Sequence, residues 1–201
     1  DYETIDDSEV EGRLRQALPT LAMTPAQLLG VEFNDNIAPH QLRLATVYRM
    51  VFSPRQLHEV MVEFWTDHFS IWHRQSYCGY LKTVDDREVI RKHALGRFED
   101  LLGASAGSPA MLNYLDNDVN TKRQPNENYA REIMELHTLG VAVDGDPYTE
   151  DDIKEVAKCF TGWSWDRRAN SPTRGEFQYR DADHWHAEKQ VLGRHISAGM
   201  G

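Results

Sequence analysis

SPRQLHEVMVEFWTDHFSIW, residues 53–72, decides the fold class. Ser53 supplies a cap, Pro54 suits a first turn, and Gln56 completes a capping box. Leu57, Val60, Met61, Phe64, Trp65, His68 and Trp72 then recur at i, i+3, i+4 and i+7, the stripe of a helix seated on a core. The spacing predicts a long amphipathic helix over 54–72. The same period runs outward in both directions. Thr24-Pro25 opens a short helix that stops at Gly30. Residues 39–51 carry Leu42, Leu44, Ala45, Val47, Tyr48 and Val51 at helical spacing. A loop holds Cys78-Gly79-Tyr80, and residues 85–103 read as helix again, with Gly96 as a close-packing point. Ser108-Pro109 starts another short helix. A strong one spans 126–139 and ends at Gly140. Asp144–Pro147 reads as a turn. Thr149 then begins a capping box, with Ile153, Val156, Ala157 and Phe160 inward over 150–162. Beyond Gly162 the pattern breaks into loops, with one short β-hairpin expected from Glu176–Tyr179 and Gln190–Leu192. The expected class is mainly α: an irregular multi-helix bundle with a loop-rich C-terminal section.

Composition bounds the partners. The 201 residues carry a formal charge of −10, with 40% hydrophobic and 27% charged residues. A sequence of this length buries a core without disulfides or metal staples. An acidic balance argues against a nucleic-acid surface, which needs a basic footprint. No run approaches the roughly 18 apolar residues of a membrane helix. Cys78 and Cys159 have neither metal-ligand spacing nor a disulfide framework. Dinucleotide and P-loop phosphate cradles, nucleophile elbows, His-Glu-x-x-His and Cys-x-x-Cys motifs are missing.

Three clusters carry chemistry. Asn126–Gly140 reads NENYAREIMELHTLG. On a helix, Tyr129, Ala130, Ile133, Met134, Leu136 and His137 share one face, and Asn128, Arg131, Glu132 and Glu135 the other. Glu132 and Glu135, three apart, can share a metal. Glu135 and His137 diverge by about 160° and cannot. The alternative is a surface ladder of i, i+4 ion pairs, Glu127–Arg131–Glu135, with His137 a hydrogen-bonded core residue. His68 lies on the apolar stripe of its own helix. Were it to meet His137, a metal or catalytic site would follow. His184-Trp185-His186 has ligand spacing for a strand, where i and i+2 face one side. The acids of 144–155 fall at calcium-loop positions, but the sixth-position glycine is missing and the capping box explains the same residues.

The sequence resembles the bacterial family catalogued as domain of unknown function 1800. The resemblance rests on Phe64–Ser70 (FWTDHFS), Pro109–Asn117 (PAMLNYLDN), Pro125–Gly140 (PNENYAREIMELHTLG), Tyr148–Asp152 with Val156–Trp163, and Lys189–Gly193 (KQVLG). It implies no established reaction. Members are usually more than twice this length, often carry export signals, and are commonly encoded beside a second exported family. The resemblance therefore implies a periplasmic or secreted setting, a protein partner, and a further part of the protein following residue 201. The domain expected over 1–201 is a single, incomplete helical one. Members show His-Asp before the Lys-x-x-Leu-Gly segment; here no Asp follows His184 or His186.

Two functions are expected. One is an exported enzyme doing metal-assisted or acid–base hydrolysis. Asn128, Arg131, Glu132, Glu135 and His137 would be its catalytic candidates, and His68, His184 and His186 its ligands for a divalent metal. The other is a binding or assembly module docking a protein or polymer on Trp163, Trp165 and Trp185, with Arg167 and Arg168 beside them.

Overall fold

A computed structural model describes residues 4–31, 36–143 and 148–200. The fold is mainly α, with two small antiparallel hairpins. Among the described residues, no helix is long and apolar enough to cross a membrane. They divide into two units: one runs to Met111 and takes in Arg167–Glu176, and the other holds Leu112–Asp166 and the residues from Phe177 on.

The first unit is helical. It contains α1 (Ser8–Ala17), α2 (Pro25–Leu28), α3 (Ile37–Phe52), α4 (Gln56–His68), α5 (Cys78–Asp85), α6 (Arg91–His93) and α7 (Phe98–Ala106). Local signals place several ends. Thr24 and Gln27 form a complete capping box at α2, satisfying N–H groups that a helix start leaves orphaned. One aliphatic cluster of the unit joins Leu14, Leu21, Leu42 and Ala45. α5 passes without a break through one π turn (Asp86–Ile90) into α6. Cys78-Gly79-Tyr80, expected in a loop, opens α5, and the helix expected over 85–103 breaks around Gly96.

α4 departs from its predicted orientation. It ends at His68, short of Trp72. Leu57, Val60 and Phe64 of its apolar stripe are 53%, 59% and 55% exposed. The buried positions are His58, Glu59 and Val62. Polar pairing by Glu59 and His58 selects the inward face. The capping box expected from Ser53 and Gln56 does not form: the N-cap is Arg55 without a side-chain cap, Ser53 accepts from the Arg55 N–H, and Gln56 donates to the Ser53 carbonyl instead of accepting from the Ser53 N–H, which goes to the Arg49 carbonyl.

The second unit holds α9 (Asn128–Glu135) and α10 (Glu150–Cys159), after α8 (Pro109–Tyr114), which spans the boundary. Ala130, Met134, Tyr148, Ile153 and Ala157 form its core. Thr149 and Asp152 complete the expected capping box of α10. The turn and calcium-like acids at 144–147 lie outside the described residues. Both expected strand segments exist, but each pairs elsewhere. β1 (Trp163–Trp165) pairs with β2 (Phe177–Tyr179). β3 (Lys189–Val191) pairs with β4 (Arg194–Ile196). Leu192 and Gly193, both at positive φ, make the two-residue turn that closes the second hairpin. Gly162 sets up the first: at φ +80°, a Cβ there would lie 2.6 Å from the Arg180 carbonyl oxygen. That carbonyl approaches because Arg180 N–H donates to Gly162 O at 2.7 Å.

Candidate functional site

Arg131, the cation of the Asn126–Gly140 segment, reaches Glu150 at 2.6 and 2.8 Å, Glu135 at 3.2 Å and Glu127 at 3.6 Å. These carboxylates hold its guanidinium in the charged form. The i, i+4 ladder read from the sequence is present, extended by Glu150 from α10. Glu132 is partly exposed, and its carbonyl accepts from the N–H groups of Leu136 and His137. His137 is buried beside Tyr129, ring centroids 6.5 Å apart. His68 belongs to the first unit, among Phe64, Trp65, Phe69 and Phe98. Each histidine therefore has its own aromatic surroundings in its own unit.

The asparagines of the motif stitch backbone. Asn128 donates to the Leu115 carbonyl and Asn126 to that of Asp116. Asn120 donates to the Ala157 carbonyl and accepts from the Asn126 N–H. Asn117 donates to the carbonyls of Phe160 and Trp163. A carboxamide both donates and accepts, which suits it to the buried backbone groups of an irregular loop.

His184 is buried, and its Nδ1–H donates to the Thr161 carbonyl at 2.8 Å. That tautomer leaves Nε2 as the unprotonated nitrogen, buried and without a partner. Burial holds the imidazole below its ordinary value. The His186 ring lies 5.1 Å away and is exposed. Among the described residues, no three His, Cys, Asp or Glu side chains group to hold a metal ion. Trp165 cannot dock a partner as expected: it is buried, its indole N–H given to Asp118 at 2.9 Å.

The family assignment follows from these stretches in their order. Over residues 3–201 the sequence matches a family described as a protein of unknown function, DUF1800. The protein belongs to that family. No curated protein and no solved structure matches it.

In this DUF1800 member a further polar site lies in the first unit. A cleft of about 590 Å³ opens there, lined from α1, α3, α4, the π turn and α6. Its walls carry Arg15, Arg49, Arg55, Arg87, Arg91 and Lys92 against Asp7, Glu11 and Asp86. In a protein of charge −10 this is a local cationic surface. Two part-buried forks organise it. Arg49 donates through Nε and Nη2 to both oxygens of Glu11, at 2.6 and 2.9 Å. Arg91 donates through both Nη atoms to Glu59, at 2.6 and 2.9 Å. Such bidentate pairs fix a guanidinium plane as well as its charge. His58 Nε2 donates to the Arg91 carbonyl at 2.8 Å, and Trp65 to that of Ala94 at 3.0 Å. α4 thereby satisfies carbonyls at the end of α6, which a helix C-terminus leaves open.

Titration follows the same geometry. Burial alone would raise Glu59, but His58 and Arg91 hold it down to about 2. Burial likewise opposes, and Arg49 reverses, the shift of Glu11, which ends below its usual value. Asp86 goes the other way: burial raises it, against the pull of Arg91 and Arg49. Asp7, on the same wall, is raised by burial too, so the cleft joins ionised carboxylates, fixed guanidinium groups and two carboxyls that keep their protons to higher pH. Arg49 is 5% exposed, and its Nη1 is buried without a hydrogen-bond partner. Sequence reasoning missed this cleft because its residues lie scattered from 7 to 96. The available signal was Arg49, Glu59 and Arg91 inside helices otherwise read as core.

Proposed function

We propose that the arginine-lined cleft binds an anionic group of a substrate, and that the protein is an acid–base hydrolase with Asp86 as its proton donor. The observation that carries the reading is Arg49 Nη1. A buried N–H left unmade costs about 1–3 kcal/mol, more when charged. An anionic oxygen in the cleft would remove that cost and meet a planar donor already oriented by Glu11. A carboxylate or phosphate satisfies this chemistry. Asp86 lines the same cleft, which is where an acid must lie to reach a bound substrate. The test is thermal stabilisation by inorganic phosphate and by malonate, at constant ionic strength. The expected result is stabilisation beyond that given by chloride, lost in Arg49→Lys, which keeps the charge but not the fork. Equal stabilisation by chloride, or an unchanged response in Arg49→Lys, overturns the reading.

A second reading, a protein partner, is favoured by one observation: the exposed apolar stripe of α4. Single exposed apolar side chains are ordinary, but a row along one helix marks an interaction face. Its test is Val60→Glu with Phe64→Glu in cells. The partner crosslinked to the wild-type protein should be lost while anion binding is kept. Export belongs to the same proposal and rests on the family resemblance; cell fractionation tests it.

A further inference from the structure

A second cavity in the first unit, of about 400 Å³, is bounded by α3, α4, α5 and the π turn. Its volume suits a small ligand. Leu42, Val47, Met50, Val62 and Ile90 make it largely apolar. Its charged wall has the opposite sign to that of the cleft. Glu59, Glu63, Asp67, Asp85 and Asp86 face Arg43 and Lys82. Glu59 is committed to Arg91, and Glu63 and Asp67 sit towards the rim.

Asp85 is the unusual member. It is 2% exposed. Its Oδ1 accepts from Ser108 Oγ at 2.6 Å, while Oδ2 is buried with no hydrogen-bond partner. Buried carboxylates are normally paired or fully hydrogen-bonded. Here one oxygen is left over beside an apolar cavity whose mouth is open at Val47, 60% exposed.

We propose that this cavity binds a small apolar amine, its ammonium group on Asp85 and its hydrocarbon body against Val47, Met50 and Ile90. An anionic ligand would meet a wall of carboxyls. A neutral alcohol would satisfy Oδ2 but gain no charge pairing, and charge-assisted hydrogen bonds are roughly twice as strong. An inorganic cation would leave the apolar walls unused. The site does not depend on the anion reading, since it requires neither Arg49 nor an occupied cleft.

Calorimetric titration of the protein with n-hexylamine, n-hexanol and hexanoate tests it. Hexylamine should bind, hexanol at least about tenfold more weakly, and hexanoate not at all. Asp85→Asn should weaken hexylamine binding by about tenfold or more. Should that buried variant fail to fold, Glu63→Gln with Asp67→Asn, on the rim, reads the same charge and should weaken binding by a smaller factor. Equal binding of hexylamine and hexanol overturns the proposal. So does unchanged affinity in whichever of these variants folds, or no binding of hexylamine at all. Phosphate stabilisation should persist in the rim variant, which separates failure here from failure of the anion site.

Discussion

Replacing Glu59 by Gln removes one charge and keeps nearly the same shape. Two routes give its magnitude. The carboxyl is held at about 2 from an ordinary 4.5; at 1.36 kcal/mol per unit, this is about 3 kcal/mol of stability at neutral pH. Independently, removing one partner of a buried ion pair costs about 3–5 kcal/mol, because the other charge stays buried. Here that charge is Arg91, whose two Nη donors would lose their carboxylate. Glu59 is 5% exposed, so solvent screens the pair little. Because the folded-state value is depressed, the contribution is complete above 4.5 and disappears as pH falls from 4.5 towards 2. Urea unfolding of wild type and Glu59→Gln, followed by circular dichroism across this range, reads the effect. The two should differ by about 3 kcal/mol at neutral pH and converge in acid. A neutral-pH difference below about 1 kcal/mol, or one that persists in acid, refutes the argument.

Arg131→Ala should cost no more than about 1 kcal/mol, because its partners are partly solvated, and added salt should shrink the loss; urea midpoints at two salt levels check both. Gly162→Ala should cost more than about 1 kcal/mol, since it combines positive φ with a clash against the Arg180 carbonyl; the thermal midpoint measures it. His184 should titrate below the ordinary histidine value by NMR. Its buried neutral ring favours folding above the unfolded histidine pKa, and this contribution falls as pH drops below it. Replacing His184 by Asn should therefore flatten the pH dependence of stability between the two values.

What the sequence made legible follows the range of each interaction. The caps at Thr24 and Thr149 involve residues three apart, and both are present. The Glu127–Arg131–Glu135 ladder is equally local and stands as read. The inward face of α4 was not legible. Hydrophobicity pointed to Leu57, Val60 and Phe64, but Glu59 finds its arginine 32 positions away. Glu11 and Arg49 are 38 apart. No window of helical periodicity contains both members of such a pair. The hairpins failed for a related reason: strand-like residues at 177–179 were visible, but their partner, Trp163–Trp165, lay within a stretch read as loop. Gly162 was the signal that the backbone reverses there.

The π turn at Asp86–Ile90 makes segment length itself part of the site. A π turn carries one residue more than an α turn. Each helical residue advances about 100°, so everything after the turn is rotated by that amount relative to an uninterrupted α-helix. Arg91 follows immediately. Deleting one residue between Arg87 and Val89 would restore regular i→i+4 hydrogen bonding and give a better helix. It would also turn the guanidinium away from Glu59 and the Arg91 carbonyl away from His58. The segment therefore trades local helical regularity for the placement of one side chain, and a one-residue deletion there is a harsher change than most substitutions.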